Sequence, residues 1–292
     1  MKKLLGLFST IIAFVFLSCN QDTTDPVGQS PEEAKLLIKL KFDPNQVRLN
    51  NLGQPAAIPE GNAAQTPSIS RMSANYIEFA PSPYTPLGDG EIIFNGSQTT
   101  AGGDMAIDFQ NAIFGGDGDV FFELPLSEVT SGIYKWVRVS LAYQEGDIDF
   151  LLQGNDYTGT LASFVGYNTY ITSFDLNGTT FQVNDNRLQG YWAFEVLGFT
   201  SQGQAPEGAT TVPNPLFDTS PIPQGSCVVT GEFQDGLTIT GNETQNVEVT
   251  LSFSINNSFE WTEVNPDGKF EPSIEEQVVD MGLRGLIPIV TN

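Results

Sequence analysis

The chain contains no histidine and only two cysteines among its 292 residues. The missing histidine excludes His-dependent nucleophilic triads, zinc proteases of the HExxH type and His-ligated copper. Two cysteines, Cys19 and Cys227, exclude a framework of several disulfides. Positive charge is scarce: 12 Lys and Arg stand against 35 Asp and Glu, a net charge of −23. Such a polyanion does not hold nucleic acid by neutralising phosphates, so no nucleic-acid partner is expected. No Gly-x-Ser-x-Gly elbow or phosphate loop occurs. Apolar runs long enough to span a bilayer, about 18 residues or more, are missing as well. The longest is Leu4–Leu17.

That run has a clear setting. Lys2 and Lys3 precede it, Ser18-Cys19 closes it, and the polar stretch Asn20–Asp25 follows. A basic start, a short apolar core and a small residue at the cut describe an export signal. With cysteine directly after the cut, the segment resembles a bacterial lipoprotein signal, in the looser form of the Bacteroidota. Phe16-Leu17-Ser18 departs from the commonest lipobox. The resemblance implies that residues 1–18 are removed and that Cys19 is acylated. The anchor would then be lipid, since two or more acyl chains give stable attachment where one does not. Residues 19–33 would form a tether reaching at most about 45–50 Å. Losing Lys2 and Lys3 leaves 10 basic against 35 acidic residues, a net charge of −25. It also leaves Cys227 without an intramolecular partner, so a core must hold the fold. A mature chain of about 270 residues buries enough surface for that, roughly 70% of the unfolded total.

After Glu33 the pattern is strand-like. Leu36–Phe42 alternates until Asp43-Pro44 stops it, and Ile133–Leu141 alternates between apolar and polar residues. Further strands are expected at 74–80, 91–94, 104–109, 120–124, 148–152, 170–176, 179–183 and 191–196, and in the last third at 227–233, 237–240, 247–255 and 259–264. Asn177-Gly178 between two such runs is the strongest hairpin signal, and Asn95-Gly96 and Asp117-Gly118 are read alike. Single helical turns are expected near 31–34 and 126–129. The fold class is therefore all-β: an antiparallel β-sandwich with long irregular loops and few helical turns. Residues 34–292 are read as a single domain. Two stretches, 50–71 and the Pro-rich 201–226, interrupt the rhythm, and the second is a possible subdomain break.

Three constellations bear on chemistry. In 261–271, Glu263, Asn265 and Asp267 are followed by Gly268, Phe270 and Glu271. Oxygen-bearing residues at alternate positions around a glycine turn suit a calcium loop, with Glu275 or Glu276 as a late bidentate carboxylate. Glu263 in place of the first Asp, Pro266 inside the loop and Ile274 at the twelfth position depart from that pattern. Asn265-Pro266-Asp267-Gly268 equally suits a plain type I turn of a hairpin between 259–264 and 269–271. Second, Trp136, Trp192 and Trp261, with several tyrosines, offer stacking surfaces for sugars or simply core packing. Trp192 and Phe194 share one face of their strand, Tyr191 and Ala193 the other. Third, Asp147 and Asp149 fall on one side of a strand, an acid pair of the kind glycoside hydrolases use.

Gly132-Ile133-Tyr134 and Gly190-Tyr191-Trp192-Ala193-Phe194 resemble segments of methanobactin-associated, MbnP-type β-sandwich lipoproteins. That family handles metal partly through histidine, so no site residue is carried over. The expected function is a non-catalytic, lipid-anchored envelope protein at the outer membrane, facing the periplasm or the surface. It would bind an extracellular ligand such as a glycan or metal, with an outer-membrane transporter as a possible partner. The alternatives are a calcium-stabilised structural module and, behind it, a carboxylate-dependent glycoside hydrolase. No catalytic residue or cofactor is assigned beyond calcium.

Overall fold

The structure is a computed structural model and describes residues 33–50, 53–205 and 225–291. Cys19, the expected signal, most of the tether and residues 206–224 lie outside the described residues. The strands are, in order, β1 (Lys35–Asp43), β2 (Asn62–Gln65), β3 (Ser68–Ala80), β4 (Glu91–Asn95), β5 (Gln98–Thr99), β6 (Ala106–Asp108), β7 (Val120–Pro125), β8 (Gly132–Leu152) and β9 (Asn155–Phe164). There follow β10 (Asn168–Leu176), β11 (Thr179–Leu188), β12 (Tyr191–Val196), β13 (Phe199–Gln204), β14 (Cys227–Ile239), β15 (Val247–Ser254), β16 (Phe259–Thr262), β17 (Gln277–Met281) and β18 (Leu286–Thr291). The fold is all-β. Among the described residues the only helical pieces are single 3-10 turns at 109–111, 126–128 and 272–274. No helix among them is long and apolar enough to cross a membrane.

A seven-stranded sheet runs β13-β12-β9-β8-β3-β4, with β14 also on β8. Its spine is β8, read from the sequence as two strands but continuous over 21 residues. Its first half pairs β14, from Gly132 with Ile239 to Leu141 with Cys227. From Tyr143 onward β9 takes over that edge. Gln144, Glu145 and Gly146 bridge the two apolar runs, so side-chain alternation alone did not join them.

The sandwich forms where the sheet β18-β15-β1-β7 covers this spine. β1 lies parallel to β15, Leu36 opposite Val247 and Phe42 opposite Phe253. Its buried residues Leu36, Ile38, Leu40 and Phe42 recur with period two, the signature of a strand packed on one face. They join Ile77, Phe79, Val137, Val139 and Phe233 in the main core. The β11-β10-β6-β5 sheet supplies a second core with Phe109, Phe164, Phe174, Phe181 and Tyr191. A three-stranded sheet, β17-β16-β2, meets the remaining face of β8, β9 and β12 in a third core.

The Asn177-Gly178 hairpin is as expected: β10 pairs β11 around it, and φ is +47° and +80° at the two turn residues. Asn95-Gly96 is different. It joins β4, which pairs β3, to β5, which pairs β6, and so passes between sheets. The stretch 50–71, read as irregular, includes β2 and the start of β3. The stretch 201–226 begins inside β13.

Candidate functional site

The site grows from β12. Tyr191 and Ala193 point into the second core and are buried. Trp192, Phe194 and Val196, on the opposite face, pack toward the third core. A sheet covered on both faces needs apolar residues on both faces, so this strand is apolar almost throughout. Two glycines make room for the rings. A Cβ on Gly203 would meet Trp192 at 2.7 Å, and one on Gly159 would run into the Phe194 ring. Bare backbone on β13 and β9 thus lets both aromatics lie close over the sheet.

The opposing wall is β16, β17 and the connection between them. Arg48 fixes this small sheet from below. It donates to the buried Glu260 carboxylate and to the Asn257 carbonyl, while Asn62 of β2 donates to the other Glu260 oxygen at 2.5 Å. The connection is organised by Glu276, which is 5% exposed. One of its carboxylate oxygens accepts the backbone N–H of Val264 at 3.0 Å and of Asn265 at 3.3 Å; the other accepts that of Glu271 at 2.6 Å. The Leu151 N–H donates to the Phe270 carbonyl at 2.7 Å and ties the loop back to β8.

Between these walls lies a cavity of about 530 Å³. Phe150, Trp192, Phe194, Phe199, Phe259 and Phe270 give it an aromatic lining, with Ile148, Leu161, Val278 and Met281 between them. Thr200, Ser201, Gln204 and Gln277 contribute polar atoms, and Glu276 is the one charged residue among the described lining. A second groove of about 500 Å³ shares Phe150 and Phe270 and is more polar than the first: Asp149, Asp156, Tyr157, Thr158 and Lys269 line it. Tyr157 stacks on Phe150 there, with centroids 5.7 Å apart.

The expected calcium residues are next to this cavity. The Asn265 amide donates to Asp267 at 3.0 Å and to Glu271 at 3.1 Å, which brings these three together. Glu263 instead accepts the Gly268 N–H at 2.6 Å. Among the described residues no group of three acidic or thiol side chains is arranged to share a metal ion. The hairpin expected around Asn265–Gly268 does not form. β16 pairs with β17, Trp261 opposite Val278, and residues 263–276 form one long connection that includes the 272–274 turn. Turn chemistry at 265–268 predicted the bend but not the Glu276 latch, which satisfies the backbone that strand pairing would have used.

Of the three tryptophans, Trp261 is fully buried, Trp136 is half-buried and Trp192 lines the cavity. Asp147 and Asp149 are exposed, each accepting a threonine hydroxyl from β9, Thr160 at 2.8 Å and Thr158 at 2.6 Å. Buried charge elsewhere serves the fold. Glu78 accepts the Gly90 N–H at 2.6 Å and the Tyr76 hydroxyl at 3.0 Å, with Arg138 nearby at 3.9 Å. Burial, then the Glu78 charge, pushes the Tyr76 hydroxyl up. Burial likewise pushes the Cys227 thiol up to about 12, so it is not a ready nucleophile.

Sequence reasoning missed the cavity because β8, β9, β12, β13, β16 and β17 contribute to it from distant positions. The available signal was β12, apolar on both faces. Comparison with family models, with curated proteins and with solved structures finds no match. The functional reading therefore rests on the geometry.

Proposed function

We propose that the chain is a non-catalytic, lipid-anchored protein of the cell envelope that binds a small apolar ligand in the cavity beside β12. The observation that carries this reading is the cavity itself. Its volume lies within the few hundred to about 1,000 Å³ typical of small-molecule sites. Its walls are aromatic and aliphatic, with a few polar atoms for orientation. Acylated Cys19 would hold the protein at the outer membrane, and an accessory role beside an outer-membrane transporter fits such a tethered carrier. Titration with the neutral dye N-phenyl-1-naphthylamine should give a saturable rise in fluorescence. Trp192→Ala and Phe194→Ala should weaken binding tenfold or more. A response that never saturates, or that both variants retain while folded, overturns the reading. Incorporation of labelled palmitate, lost in Cys19→Ser, tests the anchor.

A second reading concerns the loop. Asp267 and Glu271 already converge on the Asn265 amide, and a calcium ion there would draw on the same oxygens with the amide turned over. A thermal melt that rises with calcium and falls with chelator supports a calcium-stabilised module. A glycan, in turn, would suit the polar groove at Tyr157 rather than the apolar cavity.

A further inference from the structure

We infer that the cavity selects an uncharged lipophile and refuses the anionic chain of the same length; the inference rests on the cavity being the ligand site. A carboxylate leaving water needs a cationic partner or several N–H donors. None of the described lining residues is Lys or Arg. The sole charge on the wall, Glu276, is itself a carboxylate, held in place by three backbone N–H groups. Those donors are thereby committed and do not serve a ligand's headgroup. The closest cation along the loop, Lys269, is paired with Asp156 at 2.6 Å. The whole chain, at −23, adds a field of the same sign.

The polar atoms that remain suit a hydroxyl or carbonyl oxygen. Ser201, opposite Phe194 in the β12–β13 ladder, shares its face, and Gln277 offers an amide. Access is apolar too. At the β12–β13 turn Leu197 and Phe199 are each 77% exposed, and Leu152 lies exposed at the β8–β9 turn. Phe199 and Leu152 continue into the lining. Leu197 has φ +50°, which is uncommon for a bulky side chain, and Gly198 follows at +84°. The Glu195 carboxylate, accepting the Gly198 N–H at 2.6 Å, holds this turn. An apolar ligand thus meets hydrocarbon surface from the rim to the floor.

The test compares 1-decanol with decanoate at pH 8 on the full chain, followed by tryptophan fluorescence. Decanol should bind at least tenfold more tightly. Ser201→Lys places a cation at an exposed position on the lining and should raise decanoate affinity, relative to that of decanol, at least tenfold. Decanoate binding equal to or tighter than decanol in the unaltered chain overturns the selectivity but leaves the cavity as the ligand site. Failure of decanol, decanoate and the naphthylamine dye alike overturns both. Decanoate unaffected by Ser201→Lys, with decanol still bound, places the headgroup away from the lining and also overturns the selectivity argument.

Discussion

Glu276 accepts three backbone N–H groups from a loop that has no strand partner. Hydrogen bonds to a charged acceptor contribute more than neutral ones, and orphaned donors are costly when water is excluded. Glu276→Ala should therefore destabilise the protein by about 2–3 kcal/mol. Its local mark should be faster amide exchange at Val264, Asn265 and Glu271. Glu263→Ala, which removes one acceptor at the loop's outer edge, should cost at most about 1 kcal/mol. Equal losses from the two variants would show that Glu276 does not organise the loop. The sequence drew attention to 263–271 through its alternating oxygens. It named Glu276 only as a late calcium ligand, because the identity of a carboxylate does not say whether backbone or metal occupies it.

At the scale of the element, β12 separates fold from site within six residues. Tyr191 faces the aromatic core, its hydroxyl donating to Gln202, while Trp192 faces the cavity. Tyr191→Ala should cost about 3–5 kcal/mol, the range for losing a packed aromatic. Trp192→Ala should cost less, under about 2 kcal/mol, since one side of its ring meets open space rather than packed atoms. Urea unfolding of the two variants checks the difference, and a larger loss at Trp192 would contradict the assignment of faces. The bounds of β12 and the Asn177-Gly178 hairpin were legible because period two and turn chemistry are local. The unity of β8 was not. Its middle residues Gln144 and Gly146 are buried between neighbouring strands, contrary to their composition. Nor was the parallel pairing of β1 with β15, since parallel partners leave no turn between them.

For the whole molecule, absence of a disulfide among the described residues places stability in apolar cores, three large ones and a small cluster of Tyr76, Leu87 and Val228. Those cores also hold titratable groups in their neutral forms. Burial raises the Cys227 thiol from 9.0 to about 12. Burial, with a smaller effect from Glu91, raises the Tyr134 hydroxyl from 10.0 to about 12. Tyr76 and Tyr143 are shifted upward as well, again chiefly by burial. The unfolded chain ionises these groups first, so their contribution is fully present below pH 9 and is lost as pH rises toward 12. The urea midpoint should fall steadily across that window, less steeply in Cys227→Ala. The native thiol should resist alkylation at pH 8 until the chain unfolds. A midpoint independent of pH above 9, or rapid alkylation of the native protein, would refute the buried assignment.

Composition and local pattern by themselves determined the all-β class, the strongly acidic balance, the exclusion of histidine chemistry and the positions of most strands. These depend on side-chain period and turn residues within a few positions of each other. The tertiary structure decided which strand faces are core and which are cavity wall. It also decided that the acidic loop is held by Glu276 and that Trp192 rather than Trp261 meets open space. Those outcomes turn on contacts between residues far apart in the chain, where closing the sheets over β8 selects one neighbour among many that the sequence allows.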